Sequence, residues 1–213
     1  MTTNPTIARQ IARMLLEIKA IQLNPTQPFQ WSSGWNSPIY CDNRLALSYP
    51  DVRTFIKHAL SEVIISAYPD VDAIAGVATA GIPQGVLVAD EIGLPFIYVR
   101  AEPKKHGLNN LIEGKVEPGQ RVVIVEDLIS TGGSSLRAAD ALREVGARVL
   151  GMVAIFTYGF ETAERNFAEK KIALRCLSDY NALLDEAAHL NYIAQDQLAT
   201  LGDWRRDPAN WGV

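Results

Sequence analysis

The sequence is poor in cysteine and has no long apolar run. Its two cysteines, Cys41 and Cys176, are too few for a disulfide framework, and no C-x-x-C pair or Cys/His cluster suggests zinc. We therefore expect reduced thiols and a cytoplasmic protein. The N-terminus lacks the apolar segment of a signal peptide, and no stretch approaches the roughly 18 apolar residues of a membrane helix. A soluble protein with no membrane partner is predicted.

The chain also lacks a surplus of basic residues. Its formal net charge is -4, whereas nucleic-acid binding relies on an excess of Lys and Arg. We expect no nucleic-acid partner, and any polyanion must meet a local basic patch. The 213 residues, 48% hydrophobic and 21% charged, fit one globular domain. We expect an N-terminal helix and a small β-containing hood over about residues 1–45, and a core over about 46–213.

The order of hydrophobic patterns predicts the fold class. Apolar residues at helical spacing from Ile7 to Ile18 predict an opening helix, and short alternating pieces between Gln27 and Leu45 predict the hood. From there strands and helices alternate. We predict strands at 73–77, 96–100, 122–125, 148–157 and 172–177, and helices at 52–64, 82–90, 134–145, 161–171 and 180–198. This alternation indicates an α/β fold, a parallel central sheet flanked by helices, with ligands at the carboxyl ends of the strands.

One segment, residues 122–135, combines a buried strand with groups that bind phosphate and sugar. The apolar run is followed by the acids Glu126 and Asp127 and then by a turn rich in Ser, Thr and Gly. Gly132 and Gly133 let backbone N–H groups approach an anion, and a helix N-terminus adds donors. The acids would repel a phosphate, so they suit sugar hydroxyls or a hydrated magnesium ion.

The segment resembles the 5-phosphoribosyl 1-diphosphate (PRPP) binding motif of the type I phosphoribosyltransferases: four apolar residues, two acids, two apolar residues and a Thr/Gly/Ser turn. The resemblance implies Mg²⁺ as cofactor, bound mainly through PRPP and water without a direct protein ligand. It implies PRPP contacts from Glu126, Asp127, Leu128, Ile129, Ser130, Thr131, Gly132, Gly133 and Ser134. A strand whose acids only cap a helix is the alternative. A P-loop ATPase is set aside because Gly114-Lys115 lacks the G-x-x-x-x-G-K-[ST] spacing.

A long polar segment, residues 101–120, follows the strand predicted at 96–100. Its start is basic, with Arg100, Lys104, Lys105 and His106, and a basic lid of this kind stabilises negative charge on a leaving diphosphate. A solvated run of charges is the alternative. The segment resembles the catalytic loop of orotate phosphoribosyltransferases, R-K-x-x-K-x-H-G, although Ala101 stands where many members have Lys.

That resemblance implies catalytic roles for Lys104, Arg100 and His106 around the diphosphate, together with Asp127 at the ribose. In the family the loop reaches into the neighbouring subunit's site. A homodimer with shared active sites is therefore implied.

Two further segments resemble the same family. Residues 29–42 are similar to its F-x-L-K-S-G-x-x-S-P-x-Y-x-D hood over the pyrimidine, with Ser32 in place of Lys. The resemblance implies orotate contacts from Phe29, Ser33 and Ser130; a satellite core of aromatics is the alternative. Residues 76–83 resemble its diphosphate loop, with Ala80 in place of Lys, and a tight turn without ligand is the alternative.

The hood, anion loop, lid and PRPP motif follow each other in the family's order. The resemblance implies transfer of the 5-phosphoribosyl group of PRPP to orotate, giving orotidine 5′-monophosphate and diphosphate in pyrimidine (UMP) biosynthesis. Two alternatives remain open. One is a phosphoribosyltransferase for another base, and the other is a PRPP-sensing regulator without catalysis.

Overall fold

The computed structural model describes residues 4–31, 34–102 and 111–211. The strands are β1 Ile21–Leu23, β2 Phe29–Gln30, β3 Asn36–Ser37, β4 Ile39–Cys41, β5 Ala73–Val77, β6 Phe96–Val99, β7 Ile112–Glu113, β8 Arg121–Ile129, β9 Arg148–Thr157 and β10 Leu174–Asp179. The helices are α1 Pro5–Glu17, α2 Pro50–Ala67, α3 Gly81–Ile92, α4 Gly133–Glu144, α5 Glu161–Glu169, α6 Tyr180–His189 and α7 Gln197–Arg206, with a 3₁₀ helix at Asn43–Ser48.

Within the described ranges, a six-stranded sheet in the order β10-β9-β8-β5-β6-β7 forms the centre of the fold. Its strands are parallel except β7, which runs antiparallel to β6. The predicted α/β class with a parallel sheet is confirmed. The edge strand β7 lies in the polar segment 101–120 and escaped prediction, because it is two residues long and carries no strand pattern of its own.

The central strand β8 is buried on both faces. Val123 and Val125 belong to the core cluster beneath α1 and α2, whereas Val122 and Ile124 belong to the cluster beneath α4. A strand that is covered by helices on both faces has a continuous run of apolar residues in its sequence. This burial explains why the sequence signal of β8 was clear.

β8 is longer than the predicted 122–125. It pairs with β5 only as far as Val125 but with β9 as far as Ile129. Glu126 and Asp127 therefore lie within β8, beyond its last pair with β5. The prediction that the strand stops before the acids was wrong, since pairing with β9 continues on the other side.

The predicted C-terminal helix 180–198 is two helices, α6 and α7, in the structure. Asn191 adopts a left-handed conformation with φ of 53°, which Asn tolerates better than most residues. The N–H of Tyr192 closes the turn by donating to the carbonyl of Ala187 at 2.8 Å. Helical periodicity continues across this turn, so the sequence pattern alone missed the break.

Candidate active site

A cavity of about 700 Å³ opens between the hood and the carboxyl end of the sheet. The hood contributes one wall and the ends of β8 and β9 contribute the other. Its lining residues are Gln30, Trp31, Trp35, Tyr40, Cys41, Arg44, Leu128, Ser130, Thr131 and Tyr158. The cavity therefore joins two segments that the sequence singled out separately, the hood and the PRPP-like motif.

The turn after β8, which the sequence predicts as an anion cradle, begins α4 at a glycine. Gly132 is the N-cap of α4 with φ of 80° and provides no side-chain cap, so the first N–H groups of the helix are left for an external acceptor. A Cβ on Gly132 would lie 2.6 Å from Cε2 of Phe167, which explains the need for glycine. Asn166 on α5 donates to the carbonyl of Thr131 at 2.9 Å and fixes the turn from behind.

The paired acids have different surroundings. Glu126 is 6% exposed; its Oε2 accepts a hydrogen bond from the Ser135 hydroxyl at 3.0 Å, and its Oε1 accepts one from the Asp127 N–H at 3.0 Å. Burial raises the pKa of Glu126 well above its ordinary value. Asp127 is only partly buried, and burial also raises its pKa. Glu126 thus supports the first turn of α4, while Asp127 remains the more accessible carboxyl.

The hood is attached directly to the motif strand. Asn43, 1% exposed, donates from Nδ2 to the carbonyl of Asp127 at 2.8 Å. The thiol of Cys41 donates to Oδ1 of Asn43 at 3.3 Å. Burial raises the pKa of Cys41 and of Tyr158, so both groups stay protonated at neutral pH and act as neutral walls.

The C-terminal helix α7 supports the hood from below. Trp204 is fully buried and donates from its indole N–H to the carbonyl of Asn36 at 3.2 Å. Its ring meets Trp31 edge-on at 5.6 Å and Tyr158 at 5.7 Å between centroids. Aromatic pairs in this arrangement add stability beyond burial. Two walls of the cavity are therefore held by one residue of α7.

The predicted site residues differ in where they lie relative to the cavity. Leu128, Ser130 and Thr131 line the cavity, and Gly133 and Ser134 lie exposed at the start of α4. Ile129 is fully buried, so it offers only its backbone to a ligand. Lys104, His106 and Ser33 lie outside the described residues.

Two other predicted residues lie beside the cavity rather than in its lining. Phe29 packs against Tyr40 with 5.7 Å between ring centroids, and Tyr40, not Phe29, faces the cavity. Arg100 follows β6, and its Nη1 lies 3.5 Å from Oε1 of Glu113 on β7. This ion pair fixes the base of the segment that carries Lys104 and His106.

The turn between β5 and α3, predicted as a second anion loop, approaches the motif strand closely. A Cβ on Gly81 would lie 2.5 Å from the carbonyl oxygen of Val125. The Ala78–Thr79 peptide bond in this turn is cis. Anion binding at this turn stays a prediction.

Sequence reasoning gave no site role to Arg44, Trp35 or Tyr158, all of which line the cavity. Tyr158 follows β9, whose carboxyl end lies next to that of β8. The rule that ligands bind at the carboxyl ends of parallel strands therefore predicts a site role for Tyr158. Arg44 comes two residues after the Asp42 that closes the hood motif. No comparable local signal marks Trp35.

In the part of the chain that the structure describes, no three His, Cys, Asp or Glu residues cluster in a way that would hold a metal ion. None of the helices in that part is long and apolar enough to cross a membrane. A glycine cradle, an accessible carboxyl and an aromatic hood at one sheet edge are the features that define the candidate site.

The fold is that of a phosphoribosyltransferase domain. The family model of the phosphoribosyl transferase domain matches residues 49–188, a range that includes the sheet strands β5 to β10, the anion cradle and both acids.

Curated relatives narrow the class. An orotate phosphoribosyltransferase of Cytophaga hutchinsonii is 57% identical over 95% of this chain and 97% of its own, and one of Porphyromonas gingivalis is 53% identical over 98% and 99%. The crystal structure of orotate phosphoribosyltransferase from Aeropyrum pernix superposes with a TM-score of 0.73 at 27% identity, covering 86% of this chain and 99% of that one. The chain belongs to the orotate phosphoribosyltransferase family.

Proposed function

We propose that the chain transfers the 5-phosphoribosyl group of PRPP to orotate, releasing diphosphate and forming orotidine 5′-monophosphate for UMP biosynthesis. The observation that carries the proposal is the single cavity that joins the cradle at Thr131 to the aromatic hood at Tyr40. A ribose donor that carries a 5′-phosphate, together with a planar base that attacks its anomeric carbon, requires this combination. The relatives named above carry the same activity in their names.

Each part of the cavity then has a task. The cradle at Gly132 and Gly133 holds the 5′-phosphate through backbone N–H groups, and the carboxylate of Asp127 accepts hydrogen bonds from ribose hydroxyls. Holding donor and base in line turns a bimolecular displacement into an effectively unimolecular one. Glu126 is buried against Ser135, so in this proposal it shapes the cradle rather than touching the sugar.

Mg²⁺ is proposed as the cofactor, held mainly by the diphosphate and water. The donor fits this arrangement, because Asp127 is the more accessible acid of the pair. Mg²⁺ commonly keeps several waters and binds through substrate phosphates with one or two carboxylates. When bound, the ion neutralises charge on the diphosphate.

Lys104, Arg100 and His106 are proposed to stabilise the departing diphosphate, in a homodimer with shared active sites. Stabilisation of developing negative charge by preorganised cationic donors is often the largest single contribution to the rate enhancement of an enzyme. A cytoplasmic location is proposed on the sequence grounds given above.

One assay tests the function and separates its alternatives. Purified protein is incubated with PRPP and Mg²⁺ and, separately, with orotate, uracil, adenine or hypoxanthine, and diphosphate release is followed. We expect release with orotate and little with the other bases. Release with uracil or a purine instead identifies another phosphoribosyltransferase, whereas PRPP binding without release under any condition identifies a sensor.

Subunit sharing has its own test. Lys104→Ala and Asp127→Asn are purified separately, mixed under conditions that exchange subunits, and assayed. If Lys104 serves the neighbouring site, mixed dimers contain one site with both residues intact, and activity rises on mixing. Activity that stays at the level of the separate variants refutes sharing.

A further inference from the structure

We propose that Arg44 holds the carboxylate of the pyrimidine substrate and thereby selects orotate over bases that lack this group. The inference rests on the proposed function and deepens it by naming a specificity residue. Among the described residues that line the cavity, Arg44 supplies the one cationic side chain. Orotate carries a carboxylate that uracil lacks, so a cation in the base half of the cavity discriminates between them.

The position of Arg44 is fixed from two sides. The preceding residue, Asn43, is bonded to the motif strand at 2.8 Å through the carbonyl of Asp127. Asp42 receives two hydrogen bonds from the guanidinium, from Nε to Oδ1 at 2.6 Å and from Nη2 to Oδ2 at 3.0 Å. The side chain is thus oriented before a ligand arrives, which reduces the entropy lost on binding.

The guanidinium keeps capacity for a second anion. Nη1 has no partner among the described residues, and the side chain is 61% exposed. Five N–H donors allow one guanidinium to contact two carboxylates. Asp42 orients the group, and Arg44 belongs to the cavity lining.

The charges around the cavity favour a cation at this position. Asp127 is a carboxyl close enough to Arg44 for each to favour the charged form of the other. A carboxylate-bearing base placed near Asp127 alone would meet repulsion. Burial raises the pKa of Tyr158 and Cys41 and keeps both neutral, so neither adds negative charge, and Arg44 offsets the repulsion from Asp127.

The competing role for Arg44 is a contact with the phosphates of PRPP. The two roles can be distinguished by which KM changes. A contact with phosphate affects the KM for PRPP and has the same effect whichever base is used. A carboxylate contact affects the KM for orotate and leaves uracil, which lacks that group, unaffected.

The test compares wild type with Arg44→Gln. Loss of one charge-assisted hydrogen bond predicts a KM for orotate about 10- to 100-fold higher, with the KM for PRPP changed less than about threefold. Uracil is tested as a competitive inhibitor against orotate. Its inhibition constant stays unchanged in the variant, so the preference for orotate over uracil narrows by the same factor.

Two further variants serve as controls. Arg53→Gln removes the same charge from neighbouring α2, where Arg53 donates to the carbonyl of Leu47 and lies outside the cavity lining, and its KM for orotate should match wild type. Arg44→Lys keeps the charge but loses the planar guanidinium with its parallel N–H donors. Its KM for orotate should lie between the values of wild type and Arg44→Gln. If Arg44→Gln does not fold, Arg44→Lys provides the measurement.

An unchanged KM for orotate in Arg44→Gln, or in Arg44→Lys where Gln does not fold, overturns the proposal. A KM that rises for PRPP as much as for orotate also overturns it and assigns Arg44 to the phosphates. Failure of the proposed function looks different, since wild type itself would then release no diphosphate with orotate.

Discussion

The two ends of the central sheet use the same residue types in opposite ways. At the amino end, Asp72 before β5 accepts from the Arg121 guanidinium at 2.8 Å and 2.7 Å and from its N–H at 2.8 Å. These hydrogen bonds lower the pKa of Asp72 to about 2. At the carboxyl end, burial raises the pKa of both Glu126 and Asp127.

This difference separates stability from function. The Asp72 carboxylate has its partner within the fold and stabilises the contact between two strand starts. Asp127 is partly buried beside a glycine turn and an open cavity, and among the described residues no arginine donates a pair of hydrogen bonds to it as Arg121 does to Asp72. Carboxyls with raised pKa values in a cleft are candidates for ligand contacts, and parallel strands bring all their carboxyl ends to one edge. Substitutions at the two ends should therefore affect different measurements.

The largest effect is expected for Lys104→Ala, in the segment that follows β6 in the sequence. Loss of one preorganised donor to the leaving group predicts a kcat about 10²- to 10³-fold lower. Steady-state assays measure kcat, and denaturant titration should show a nearly unchanged unfolding free energy. Near-normal turnover would remove Lys104 from the catalytic role.

Asp127→Asn should weaken PRPP binding without unfolding the protein. The amide keeps the size of the carboxyl but accepts weaker hydrogen bonds from the ribose, so we expect a Kd for PRPP about 10-fold higher or more. Isothermal titration calorimetry measures the Kd. A variant that fails to fold would instead assign Asp127 a structural role.

Glu126→Gln is the matched control for Asp127→Asn. The amide oxygen of the new side chain can still accept from the Asp127 N–H, and its NH2 group can donate to the Ser135 hydroxyl oxygen, so both partners of Glu126 keep a hydrogen bond. Because Glu126 makes no proposed contact with the sugar, the Kd for PRPP should change far less than in Asp127→Asn. Equal losses in both variants would mean that the pair acts as one unit and that the distinction drawn from burial is wrong.

Gly132→Ala tests whether the carboxyl end also has structural constraints. A Cβ at a residue with φ of 80°, 2.6 Å from a ring carbon of Phe167, should lower the unfolding free energy by about 1–3 kcal/mol. Chemical denaturation measures the change, and Gly202→Ala, where a Cβ meets nothing within 4 Å, is the control. Equal stability of the two variants would show that the turn relaxes freely.

Sequence reasoning found the motif because its signal is contiguous. The apolar run, the two acids and the glycine turn are adjacent in the chain. Each has a local physical cause: burial of β8 on both faces, one buried and one more accessible carboxyl, and a left-handed Gly132. The family resemblance of the same segment is confirmed by the match to residues 49–188. The fold class followed from the alternation of strands and helices.

What sequence reasoning missed depends on contacts between distant residues. The role of Trp204 requires its contact with Asn36 across 168 positions, and the cavity position of Arg44 requires the bond from Asn43 to Asp127 across 84. The end of β8 was placed too early because one neighbour, β5, ends before the other. Pairing of this kind leaves no mark in hydrophobic periodicity.

The smallest effect is expected at the amino end, for Asp72→Asn. Its folded pKa of about 2 lies below the ordinary 3.8, so its contribution to stability is present above pH 3.8 and is lost as the pH falls towards 2. Asp72 and Arg121 are partly exposed, and solvent screening keeps this contribution small. Urea titrations between pH 2 and pH 7 should show a wild-type advantage near neutrality that vanishes at the acid end, while kcat and both KM values stay unchanged. A loss of activity in Asp72→Asn would mean that the two ends of the sheet are coupled, contrary to the division argued here.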